Sequence, residues 1–166
     1  MKPEGLAGAL ESLLHGRVVL MGVGSEWRGD DQAGSILARG LVRSGRFCPI
    51  DCGDVPEAYT GPVKDFQPDT ILIADALDLG EEPGAIAILD ADGLTEKRFD
   101  THHASLRTVI DYLRAETGAE VVLIGIQPAE LGLGAGLSPA VRESVELLRA
   151  LINELLGMTS DEGATT

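Results

Sequence analysis

Three short stretches of the chain carry the side chains able to do chemistry. "GVGSEWRGDDQAG" (22–34) sets Asp30 and Asp31 side by side among glycines. "TILIAD" ends an otherwise apolar run on Asp75, with Asp78 just after it. "THH" places His102 and His103 ahead of a helical pattern that starts near Ala104. Asp54, Glu57 and Gln127 also follow apolar runs. Carboxylate oxygens with an imidazole nitrogen suit a borderline divalent cation such as zinc or nickel. Two carboxylates and one neutral histidine balance its charge and leave coordination positions open. A histidine near a helix N-terminus meets the positive end of the dipole, which opposes its protonation and keeps it competent as a ligand. Each residue also has a plainer use. Asp30 or Asp31 fits a helix cap, Asp75 a turn, and His102 alone a surface position. Asp75 fits its plain use worst, because a charge ending a wholly apolar strand is costly to bury without a partner.

Other chemistries fit less well. After Gly22 and Gly24, the third glycine of G-x-G-x-x-G falls on Trp27, and no G-x-x-x-x-G-K-[ST] occurs. Two carboxylates at the start of a helix also repel the pyrophosphate that such a loop would cradle. No Ser-His-Asp or Cys-His arrangement is evident, which argues against a covalent acyl-enzyme. A phosphorylated receiver domain shares an acidic pair after its first strand and an aspartate ending its third, and Asp30, Asp31 and Asp75 match those places. It also needs a lysine ending its fifth strand, where this chain reads "IGIQP"; the lysines are Lys2, Lys64 and Lys97.

Alternating strands and helices must position these residues. Strands are predicted over 17–23, 46–51, 70–76, 84–90 and 120–126 from apolar runs bounded by turn residues. A helix carries Ala33, Ile36, Leu37 and Leu41 on one face and ends near Gly45. A shorter helix follows Pro56, perturbed by Pro62. Leu106, Val109, Ile110 and Leu113 mark a third helix stopping at Gly118. The last opens at Ser138-Pro139, a cap with proline in the first turn, and carries Val141, Val145, Leu148, Ile152 and Leu155. This alternation predicts an α/β fold, one mostly parallel twisted sheet of about five strands between helical layers. Ligands of such sheets sit beyond the carboxyl ends of the strands, where the residues above all fall.

The length of 166 residues fits one domain over 17–157. A helical extension over 1–16 precedes it, with Leu6, Leu10, Leu13 and Leu14 on one side, and a disordered tail over 158–166 follows. The extension lacks the continuous apolar core of a signal peptide, and no apolar run in the chain reaches the ~18 residues of a membrane span. A formal charge of −14 argues against nucleic-acid and anionic-membrane partners. Two cysteines, Cys48 and Cys52, are too few for a disulfide framework or zinc ribbon, so a reducing cytoplasm is expected, with both thiols as small buried side chains.

"GVGSEWRGDDQAG", "DCGDVPE", "TILIADALDLGEEPGAIAILD", "DTHHASL" and "VVLIGIQP", in that order, resemble the nickel–iron hydrogenase maturation endopeptidases, and most closely their HycI-like branch. The resemblance runs from about Val18 to Leu155. In the first loop the family pattern is roughly G-x-G-N-x-x-x-x-D-[DE]-x-x-G; Gly22, Gly24, Asp30, Asp31 and Gly34 fit, and Ser25 replaces the asparagine. The resemblance implies a protease that clips a C-terminal extension from the precursor of the hydrogenase large subunit once nickel has been inserted. It also implies metal contact by two acids and one histidine, which fall by motif position on Asp31, Asp75 and His102. His103 competes with His102, and the downstream leucine of "THHASL" favours His102. The nickel would arrive with the substrate and serve mainly as a recognition handle. An aspartic-protease mechanism is disfavoured, because a cation between two carboxylates displaces their shared proton. Trp27 and Arg28 project from the first loop as candidate grips on the precursor, against the plainer expectation that Trp27 packs on the sheet edge. The alternatives are a non-catalytic hydrogenase-binding homologue and the receiver domain.

Overall fold

The computed structural model describes residues 3–93, 101–129 and 136–157, with only the backbone described at 3, 93 and 101–105. The proposed tail over 158–166 lies outside the described residues. Five strands form one sheet in the order β2-β1-β3-β5-β4: β1 (Val18–Val23), β2 (Phe47–Gly53), β3 (Thr70–Ala76), β4 (Ile86–Asp90) and β5 (Glu120–Ile126). The first three and β5 are mutually parallel, and β4 runs antiparallel along the outer edge of β5. The helices are α1 (Pro3–Leu13), α2 (Ala33–Arg39), α3 (Thr60–Asp65), α4 (Thr101–Thr117) and α5 (Pro139–Leu155). This is the predicted α/β class.

Side chains alternate across each strand, so a sheet covered on both faces needs two cores. Val18 and Leu20 of β1 join Leu72, Ala74, Val122 and Ile124 beneath α1, α2 and α5. Val19 and Met21 join Ile71, Ile73, Val121 and Leu123 beneath α3 and α4. Leu6, Leu10, Leu13 and Leu14 are buried in the first core, where α1 meets α5.

Three helix ends differ from expectation. α2 stops at Arg39, well before Gly45. Gly40 ends it where the Arg149 side chain of α5 crosses, and the Ser44 N–H then donates to Phe47 O, turning the chain back into β2. α4 begins at Thr101 instead of near Ala104, so His102 and His103 lie within its first turn. No glycine or proline interrupts 101–117, and nothing in the covalent chain excludes the histidines from the helix. Ser138 precedes α5 as expected but does not cap it with its side chain; its hydroxyl is used elsewhere.

Candidate active site

The strand order reverses at β1, with β2 on one side and β3 on the other. Beyond the carboxyl ends at such a reversal the flanking loops part and leave a crevice. Two acids approach this place, one from β3 and one from the turn after β1. Asp75 lies one residue before the end of β3, 1% exposed, in a strand buried along its whole length. Asp31 comes from the 3-10 turn Gly29–Gln32 that joins β1 to α2, and this turn packs against β3.

Glycines allow that approach. A Cβ on Gly34 would collide with the carbonyl oxygens of Ala74 and Val23, one on Gly22 with the carbonyl of Gly34, and one on Gly24 with that of Asp31. Bare backbone at these positions lets the start of α2 rest directly on the ends of β1 and β3. A phosphate loop uses glycine to admit a ligand; here it admits another strand.

The adjacent aspartates take different partners. Asp30 is fully buried and accepts hydrogen bonds from the Ala129 N–H (2.8 Å), the Ser138 N–H (2.7 Å) and the Ser138 hydroxyl (2.8 Å). It fastens both ends of the β5–α5 connection to the first loop. Asp31 is partly exposed, and its Oδ2 accepts the Ser25 N–H at 3.1 Å. Neither side chain caps α2, whose N-cap residue is Gln32. The bond from residue 25 comes from the main chain, so it survives the replacement of asparagine by serine.

α4 brings the histidine backbone to the same end. Its last turn leads through Gly118 and Ala119 straight into β5, so the helix runs back along the sheet. Its 17 residues span about 25 Å at 1.5 Å each, the length of β5, which carries the first turn to the carboxyl ends of the strands. The side chains of His102 and His103 lie outside the described residues. Among the described residues no group of three His, Cys, Asp or Glu side chains is placed to hold a metal.

The other acids stand around the rim. Asp54 and Glu57 are exposed beyond β2, and exposed Asp78 accepts the Gly80 N–H in a local turn. Gln127 has a structural task that its sequence position did not suggest. It is 8% exposed at the end of β5, and its Oε1 accepts N–H groups from Leu79 (2.6 Å) and Glu81 (3.3 Å). Its own main chain bonds Gly84 and Ala85. Gln127 thus holds the connection that crosses from β3 over β5 to β4, and it stands where a receiver domain needs its lysine. Both cysteines are free and buried. Burial, and secondarily the neighbouring Asp51 charge, push the Cys52 thiol up to about 12, which removes it as a nucleophile near neutral pH. No helix among the described residues is long and apolar enough to cross a membrane.

The hydrogenase maturation protease family model HycI matches residues 35–155. The chain is 36% identical over 131 residues to the hydrogenase 3 maturation protease of Escherichia coli K12, covering 77% of this chain and 83% of that one. It superposes with a TM-score of 0.82 on the NiFe hydrogenase maturation protease HycI of Thermococcus kodakarensis, at 36% identity over 90% of this chain and 99% of the other. The solution structure of the endopeptidase HycI from Escherichia coli matches with a TM-score of 0.71 at 32% identity, over 81% and 87% of the two chains. Fold, motif order and relatives agree: the chain belongs to the HycI family of hydrogenase maturation proteases.

Proposed function

We propose that this endopeptidase removes a C-terminal extension from the nickel-loaded precursor of a nickel–iron hydrogenase large subunit, and that it senses the nickel through Asp31, Asp75 and His102. The observation that carries this reading is the meeting of the Asp31 turn with the end of β3 at the strand-order reversal, where Asp75 is held almost fully buried. Two hard oxygen donors, one from the turn after β1 and one from β3, with an imidazole from the first turn of α4, suit a borderline cation. The nickel belongs to the substrate and is its recognition handle, so the free protein binds nickel weakly. Sub-nanomolar affinity for free nickel would overturn that part. A carboxylate not fully used on the metal is the base for the attacking water. The free Cys48 and Cys52 thiols support placing the enzyme in a reducing cytoplasm.

The test is the intact mass of the host's large-subunit precursor after incubation with the protein, with and without nickel, beside Asp31→Ala and His102→Ala. Loss of a C-terminal fragment from the loaded precursor alone, and with the unsubstituted protein alone, is the expected result. Cleavage that survives both substitutions would remove the metal-sensing role from these residues. A stable complex without cleavage would instead favour a non-catalytic docking partner.

A further inference from the structure

Trp27 is the single tryptophan of the chain, and it is 70% exposed. It does not pack on the sheet edge, so its ring contributes little to the core. Its loop is nevertheless well fixed. The Arg28 N–H donates to Ser25 O (3.3 Å), the Asp31 N–H to Arg28 O (2.9 Å), and the Gly24 N–H to Gly53 O (2.8 Å). The bond from Ser25 N–H to Asp31 Oδ2 closes the loop onto the proposed metal-sensing acid. A large aromatic side chain held out from a pre-ordered loop loses little backbone entropy when a partner covers it.

The bond between Gly24 and Gly53 joins this loop to the one after β2, which presents Val55 at 44% exposure. Val55 is another of the few large apolar side chains exposed among the described residues, and it too stands at the carboxyl end of the sheet. Beside them in the chain lie exposed Glu26, Asp54 and Glu57; Arg28 is exposed next to Trp27, and Arg39 pairs with Glu26 at 3.7 Å. The charged residues flanking these two exposed apolar side chains are therefore mainly acidic. Tryptophan and arginine are the types most enriched among residues that dominate binding energy, and a polar surround that excludes water completes the pattern.

We propose that Trp27, supported by Val55, is the docking anchor for the substrate protein, receiving an apolar patch with basic surroundings on the body of the hydrogenase precursor. The inference rests on the processing function proposed above and deepens it. Nickel would report that the precursor is loaded, whereas the Trp27 rim would report which precursor it is. Trp27 acts as a positioning residue, since it holds the substrate and touches no reacting atom.

The lone tryptophan is its own probe. Emission of the unsubstituted protein is expected to shift to the blue when nickel-loaded precursor is added. Trp27→Ala should raise KM on the order of tenfold or more while kcat stays within about twofold, and Trp27→Phe should recover most of the loss. Val55→Ser should raise KM by a smaller factor. An exposed position makes these variants fold normally, which far-UV circular dichroism checks. Cleavage with unshifted emission and an unchanged KM in Trp27→Ala would overturn the anchor and leave the protease standing. A blue shift without any cleavage would support the anchor and overturn the protease assignment; neither shift nor cleavage would overturn both.

Discussion

A 3-10 turn rotates about 120° per residue, so neighbouring side chains on Gly29–Gln32 leave it in different directions. Asp30 points inward to donors at Ala129 and Ser138, while Asp31 stays at the surface of the crevice. Asp30→Asn replaces an acceptor with a donor facing N–H and O–H groups, and is expected to cost ~1–3 kcal/mol in urea unfolding. Asp31→Asn, held by one main-chain N–H, should cost under ~1 kcal/mol and abolish cleavage. Equal stability of the two variants would overturn the division of labour. That division was not legible in the sequence, because the donors to Asp30 lie 99 and 108 residues downstream. The thiols were legible as buried side chains. Cys52 rises from 9.0 to about 12 on folding, so its contribution to stability is intact below pH 9 and is lost as pH climbs from there towards 12. At pH 8 an aromatic disulfide reagent should leave Cys52 unlabelled until the protein is unfolded; rapid labelling of the native protein at this residue would contradict its burial.

Between elements, the decisive contacts are those of backbone with backbone. Gly34→Ala improves helix propensity by about 1 kcal/mol, yet the new methyl meets the carbonyls of Ala74 and Val23, which cannot rotate away. Overpacking of this kind costs ~1–3 kcal/mol, so the variant should be less stable overall. It should also lose cleavage activity, because α2 must lift from β3 and carry Asp31 with it. Gly8→Ala supplies the opposite sign: it lies exposed inside α1 with nothing within 4 Å of the added methyl, and should gain ~0.5–1 kcal/mol. A melting comparison of the two variants tests whether close approach or propensity decides. The strands were readable to within two residues at each end, because their short apolar runs are bounded by turn residues. Helix ends were not. The start of α4 depended on the absence of a breaker before the histidines, and the end of α2 on a crossing by Arg149 from another element.

At the scale of the molecule, the α/β alternation was enough to predict the sheet, but it did not specify the direction of β4. Residues 77–85 between β3 and β4 hold no helix and are too few for a parallel crossover, which takes a dozen or more, so the chain returns antiparallel at the far side of β5. Gln127 pins that passage, and Gln127→Leu should cost ~1–3 kcal/mol by leaving the Leu79 and Glu81 N–H groups without their acceptor. The packing of the Asp31 turn on β3, which carries Asp75, follows from the same topology, since the strand order reverses between β1 and β3. Charge acts over the whole surface instead. With a net charge of −14, the protein attracts a basic partner from a distance set by the Debye length, about 10 Å at 0.1 M salt and about 3 Å at 1 M. Long-range attraction speeds encounter, whereas the Trp27 contact slows escape. Raising salt from about 0.05 to about 0.5 M should therefore lower the association rate of the loaded precursor by roughly tenfold or more and change its dissociation rate far less. Trp27→Ala should do the reverse, raising dissociation at any salt. Stopped-flow recording of the unsubstituted protein's tryptophan emission, with surface-immobilised precursor for the variant, separates the two rates. An association rate indifferent to salt would show that the acidic surface takes no part in finding the substrate.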